Sequence, residues 1–141
     1  MKLKHLEINY RTVDASFDFD DGINVITGSN GSWEYDLEVV FNSLTTSTYE
    51  EIPELKIKFS ENDDSIQTYE ISQVEKDFVF YDLESNSGLD CMDLEKFANE
   101  LKEKAKEKQV IIMTFQKEIM NIADKIYNMV QDEDNRYASV S

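Results

Sequence analysis

Three consecutive pieces between residues 23 and 44 constrain the fold more than anything else in the chain. Ile23-Asn24-Val25-Ile26-Thr27 is a largely β-branched run that suits a buried strand. Gly28-Ser29-Asn30-Gly31-Ser32 is a glycine-bearing loop, and Trp33 to Leu44 carries Leu37, Val40, Phe41 and Leu44 at helical spacing. A strand that passes so quickly into an amphipathic helix must lay that helix back on its own sheet, which commits the chain to an α/β layer.

The flanking segments extend this pattern. Lys2 to Tyr10 alternates Leu3, His5 or Leu6, and Ile8 with polar neighbours, and Ser16 to Asp20 places Phe17 and Phe19 inward, so both read as half-buried strands. Asp21-Gly22 is a tight turn. Leu55–Phe59 and Ile66–Ile71 flank the polar Glu61-Asn62-Asp63-Asp64 and predict a hairpin. Phe78–Tyr81 and Val110–Met113 are short apolar runs, and a helix from about Met92 to Lys108 stands between them with Leu94, Phe97, Ala98, Leu101 and Ala105 as its stripe. A short helix through Ile119, Ile122 and Ala123 follows, and Lys125–Val130 opens a last hairpin closed by Arg136–Val140. Buried strands alternating with helices imply a mostly parallel sheet flanked by helices, with the early strands as an antiparallel attachment. The expectation is a single domain over residues 1–141.

Charge and composition exclude several functions. The 141 residues hold 30 acidic and 14 basic side chains, a formal charge of -16. A sequence-independent grip on nucleic acid needs a basic face, so direct binding of that kind is not expected. Residues 1–53 and 54–90 each carry 3 basic and 10 acidic groups, so most of the excess lies in the first 90 residues. Lys96, Lys102, Lys104, Lys106 and Lys108 share one helix with glutamates and read as a solvated face. A single cysteine, Cys91, and a single histidine, His5, rule out a disulfide framework, a thiolate zinc site and histidine-rich metal chemistry. Asp20/Asp21, Asp63/Asp64 and Asp132-Glu133-Asp134 read as turns or solvated loops rather than cation sites. Neither a membrane-length apolar run nor a signal peptide stands out, and a cytoplasmic protein is expected.

The order of the pieces resembles the ATPase heads of the ABC superfamily, in particular those of SMC and RecF type. Met1 to Ile8, followed by Phe17 to Ser32, looks like the start of such a head up to the middle of its P-loop. Phe78-Val79-Phe80-Tyr81-Asp82 looks like a Walker B strand, Ser87-Gly88-Leu89-Asp90 like the D-loop, and Gln109–Thr114 like the strand before the switch histidine. The resemblance implies a P-loop NTPase-like fold.

It also implies that the chemistry of the family is gone. The family's loop continues with glycine, lysine and then serine or threonine, so that amides and lysine hold phosphates and a hydroxyl holds magnesium. Here those places hold Trp33, Glu34, Tyr35 and Asp36. Exchanging an ammonium for a carboxylate about 4 Å from a phosphate turns about 4 kcal/mol of attraction into comparable repulsion. Leu83 follows Asp82 where the catalytic glutamate belongs, Glu84 comes one place late, and Phe115 stands at the switch histidine position. Only residues 45–77 separate Leu44 from the Walker B-like strand, leaving no room for a Q-loop, signature motif, helical subdomain or coiled coil. The chain is expected to be a shortened pseudo-ATPase with no catalytic residue, cofactor or metal, its Gly28, Ser29, Asn30, Gly31, Ser32, Trp33 and Glu34 a vestigial P-loop.

Two functions of different class follow. One is a binding module that pairs with or inhibits an SMC-like or RecF-like ATPase, with Trp33, Tyr35, Ser87, Gly88, Leu89 and Asp90 as its expected contact surface. Trp33, Tyr35 and Tyr49 read in the first place as packing aromatics and in the second as an exposed contact patch, and self-association through the same surface stays open. The other is an acidic DNA mimic that competes for a basic site on a nucleic-acid enzyme. Its size suits an inhibitor encoded by a virus or mobile element.

Overall fold

The computed structural model describes residues 2–28, 33–46, 55–59, 77–83, 93–131 and 138–140. The expected strand Ile66–Ile71, the Glu61–Asp64 turn, Tyr49, Glu84, Cys91 and Asp132–Asp134 lie outside them, as do Ser29–Ser32 and Ser87–Asp90 of the motifs.

Alternation sets the first two strands. β1 (Leu3–Tyr10) and β2 (Val13–Asp18) pair antiparallel, with Leu6 opposite Phe17 and Ile8 opposite Ala15. Leu3 and Leu6 are both buried although two residues separate them, because the register of β1 slips between Leu3 and His5 in its pairing with β4 (Leu55–Phe59). That irregularity is why either His5 or Leu6 could be read as the inward residue. β2 begins at Val13 rather than at Ser16, since Val13, Ala15 and Phe17 already alternate inward. Phe19 lies past its end but is still buried, its amide bonded to the Lys4 carbonyl at 2.9 Å.

The parallel part is built from β3 (Ile23–Gly28), β5 (Phe78–Asp82), β6 (Gln109–Met113) and β7 (Lys125–Gln131). β3 pairs parallel with both β6 and β7, and β6 pairs parallel with β5. β8 (Ala138–Val140) closes the expected hairpin with β7 and meets β2 in parallel. Among the described residues the strands form one eight-stranded sheet in the order β4-β1-β2-β8-β7-β3-β6-β5. The antiparallel strands are therefore continuous with the parallel ones through β8.

α1 (Trp33–Thr46) covers one face, burying Trp33, Leu37, Val40, Phe41 and Leu44. Rings run across the sheet beneath it: Phe17 stacks on Phe19 at 5.4 Å, Phe19 meets Phe41 at 6.2 Å, and Phe41 stacks on Phe80 at 4.6 Å. α2 (Leu94–Lys104) and α3 (Lys117–Met120) lie over the other face of β3, β5 and β6, where Ile23, Val25, Val110 and Ile112 form a second core with Ala98, Leu101 and Ile119. Asp93 caps α2, its carboxylate accepting from the Lys96 amide at 3.1 Å. α2 stops four residues before the expected Lys108, where the amides of Lys106 and Glu107 bond only three residues back, to the Glu103 and Lys104 carbonyls, in a tightened turn. α3 likewise ends at Met120, with Ile122 and Ala123 held by turn bonds to Ile119 and Met120. Among the described residues no helix is long and apolar enough to cross a membrane.

Candidate functional site

In a parallel sheet the carboxyl ends of the strands are where ligands are met. Here the ends of β3, β5 and β6 bring Gly28, Asp82, Leu83, Thr114 and Phe115 to one rim, where α1 also begins. These five residues, far apart in sequence, thus share one end of the sheet.

Gly28 is required by close approach. Its φ is 153°, and a Cβ there would come within 2.3 Å of the Met129 carbonyl oxygen. Trp33 is 1% exposed and meets Phe115 edge-on, with ring centroids 6.5 Å apart at 76°. Its side chain is therefore a packing residue, which corrects its assignment to a contact surface: a ring enclosed by the core has no face left for a partner. Tyr35 is the opposite case, 64% exposed. Glu34 is half-buried.

Asp36 has a role that the loop comparison did not suggest. Its Oδ2 accepts from the Thr12 amide at 3.1 Å and from the Thr12 hydroxyl at 2.5 Å, fixing the first turn of α1 to the β1–β2 turn. That turn places Arg11 at φ 50°. Asp36 is 4% exposed, a burial that its two donors and the positive end of the helix make tolerable.

Beside the rim lies a carboxyl pair. Glu38 of α1 has its pKa raised, first by burial and then by a hydrogen bond to, and repulsion from, Asp82, while Asn42 opposes the shift. Burial and the neighbouring carboxylate both favour the protonated form of Glu38. Sequence reading missed Glu38, although Glu34, Glu38 and Asn42 recur at four-residue spacing and so lie along one helical stripe. Leu83 is 3% exposed and belongs to the core beneath α2, its amide donating to the Met113 carbonyl at 3.1 Å. Thr114 is fully buried, and its hydroxyl accepts from the Gln116 amide at 3.1 Å. Among the described residues no three His, Cys, Asp or Glu side chains converge as a metal site would require.

At the opposite end of β3 a polar network fixes the sheet. Asn24 is fully buried: its Oδ1 accepts from the Asp20 amide at 2.8 Å and from the Tyr127 hydroxyl at 3.2 Å, and its Nδ2 donates to the Asp20 carbonyl at 2.8 Å. Gln109, also fully buried, accepts from the Leu3 amide at 2.8 Å and donates to the Leu3 and Asp20 carbonyls. Burial, with the charges of Asp18 and Asp20, pushes the Tyr127 phenol well above its ordinary range, so it remains a donor.

The mixed sheet, the glycine at the end of its first parallel strand and the helix that follows define an α/β fold like that of an SMC head. The head domain of SMC from Thermotoga maritima is similar over 100% of this chain and 98% of its own, with a TM-score of 0.72 at 14% identity. An SMC head solved in complex with the C-winged helix domain of ScpA is similar over 100% of this chain and 97% of its own, again with a TM-score of 0.72, at 11% identity. At these identities the likeness is one of fold. No protein-family model matches the chain, and no curated protein matches it.

Proposed function

We propose that the chain is a catalytically inactive, shortened SMC-type head that works as a protein-binding module, pairing with or inhibiting an SMC-like or RecF-like ATPase. The observation that carries this reading is the contact between Trp33 and Phe115. Both stand at positions where the family resemblance expects small or polar groups facing a nucleotide, and here they pack on each other. Glu34, next to Trp33, puts a carboxylate where phosphates would need a cation. Leu83 supports the same reading, since a glutamate in that place would have to ionise within an apolar core. Losing one preorganised electrostatic contact typically costs about 10² to 10³ in rate, and several are missing together.

A fold of this kind engages proteins in at least one solved case, the head bound to a domain of ScpA. Exposed Tyr35 is the residue at the rim best suited to such a contact, because a tyrosine buries much area at little entropic cost. Affinity capture from the native host is the direct test: recovery of an SMC-like or RecF-like ATPase, weakened by Tyr35→Ala, is the expected result. Titration calorimetry with ATP and magnesium should give no binding heat, and micromolar binding would sink the reading. The concentration of negative charge in residues 1–90 favours a second reading, an acidic DNA mimic. In that case duplex DNA or modest salt would displace the partner, and neutralising acidic residues in 1–90 would matter more than Tyr35.

A further inference from the structure

On β1 and β2, the face turned away from α1 carries a histidine whose surroundings dictate its protonation. His5 stands opposite Asp18 in the strand register. Its Nδ1 lies 2.6 Å from Oδ1 of Asp18 and its Nε2 lies 3.1 Å from Oε1 of Glu7. An ionised carboxylate only accepts hydrogen bonds, whereas a neutral imidazole has one N–H and one lone pair. In the neutral ring one nitrogen would face a carboxylate oxygen lone pair to lone pair. Only the imidazolium donates to both. The His5 side chain is 19% exposed, whereas those of Glu7 and Asp18 are 45% and 78% exposed, so the ring is the covered member of the group and the carboxylates meet water on their outer side.

We propose that His5 is held as an imidazolium and serves as a proton-dependent clasp, joining β1 to β2 through Asp18, with Glu7 of its own strand as second acceptor, and releasing both carboxylates when it loses its proton.

Charged groups of both signs flank the ring. From β1 comes Glu7 and, exposed on the same strand, Lys4; from β2 come Asp18 and, just beyond its end, Asp20. β4 places Lys58 opposite His5 and Lys56 opposite Glu7 in the register. From β7, Lys125 Nζ reaches the main-chain carbonyl of Asp18 at 2.5 Å, which leaves the Asp18 carboxylate to His5. Burial acts against the charge on the ring, but the hydrogen bonds and charges of Asp18 and Glu7 outweigh it, so its pKa lies above 6.5. A pKa raised on folding contributes stability that is complete below the unfolded value of 6.5 and is lost as pH rises through the folded value. The Asp18 carbonyl also accepts from the Tyr127 hydroxyl, so the clasp sits where the antiparallel strands are tied to β7. Its release adds uncompensated negative charge to this face of the sheet.

His5 is the only histidine in the chain, so its ring signals in a nitrogen-detected NMR titration are unambiguous. Between about pH 5 and about pH 9 the midpoint should lie above 6.5, with both ring nitrogens protonated below it. Asp18→Asn with Glu7→Gln should lower that midpoint while the fold persists. A midpoint at or below 6.5, or one unmoved by the double substitution, overturns the clasp. His5→Gln should flatten the pH dependence of the urea midpoint over this range, and an unchanged pH dependence also overturns it. Should His5→Gln fail to fold, the ring titration of the Asp18→Asn, Glu7→Gln protein decides the matter alone.

Discussion

The two parts of the sheet are buried differently. β3, β5 and β6 have helices on both faces, and every residue of β6 is buried. β1 and β2 have one buried face, Val13, Ala15 and Phe17 pointing in and Asp14, Ser16 and Asp18 pointing out. β7 is the seam: Tyr127 and Met129 enter the core under α1, whereas Ile126 and Val130 are 49% and 45% exposed. A strand covered twice has no solvent face on which to keep polar residues, so its polar groups must be bonded inside. A strand covered once can carry charge at every second position. The acidic residues of β2 are therefore placed without cost to the core, and polar Asn24 and Gln109 are tolerated in the doubly covered part only through complete bonding.

The sharpest break of this comparison is at the helix that spans it. Trp33→Ala should lower stability by about 3–5 kcal/mol in urea unfolding, the range for removing a fully buried large aromatic. A loss near 1 kcal/mol would mean that the ring is not a core element, and its contact with Phe115 would lose its structural meaning. Asn24→Ala comes next. It strips the Asp20 amide of its acceptor in the doubly covered part, while the Asp20 carbonyl keeps Gln109 as a donor, and should cost about 1–3 kcal/mol for the one orphaned group. An effect below about 1 kcal/mol would show that water reaches the network and that this end of β3 is wetter than its burial implies.

Much of this difference is legible in sequence. Val110-Ile111-Ile112-Met113 admits no polar face and reads as a strand covered twice, while Ser16 to Asp20 alternates around Phe17 and Phe19 and reads as covered once, although that reading misses the strand's true start at Val13. The strand–loop–helix at residues 23–44 also fixed the place of the rim. What sequence could not give was partnership across long separations. Thr12 and Asp36, or Asn24 and Tyr127, meet only because the sheet order brings them together. The hydrogen bond between Glu38 and Asp82 is of the same kind, as is the burial of Trp33. An aromatic at a helix start serves equally as core or as contact until its neighbours are known. The slip in β1 was visible only as an ambiguity between His5 and Leu6.

The carboxyl pair gives a smaller effect with the opposite sign. Glu38 has its pKa raised, so its contribution is complete below the unfolded value and is lost as pH rises through the folded value. Glu38→Gln should therefore stabilise the protein at neutral pH by up to about 1 kcal/mol, the scale of partly exposed charge pairs. The gain should shrink as pH falls toward 4.5, where wild-type Glu38 regains its proton. Urea midpoints of the two proteins across this range provide the check. A gain independent of pH would point to packing rather than to repulsion from Asp82.

The smallest effect tests the singly covered face itself. Ile126 and Val130 lie on one face of β7, with Asn128 between them and no helix among the described residues over them, so replacing each by threonine keeps the β-branched shape and removes little buried apolar area. Each change should alter the urea midpoint by no more than about 0.5 kcal/mol, against the several expected for a residue of β6. The contrast is informative because the side chains are alike and only their cover differs. Ile112→Thr places a hydroxyl in the core under α2 and should be strongly destabilising, whereas Ile126→Thr places it in water. If Ile126→Thr costs as much as Ile112→Thr, something covers that face of β7 in solution, and the division of the sheet into a doubly and a singly covered part would have to be redrawn at β2 rather than at β7.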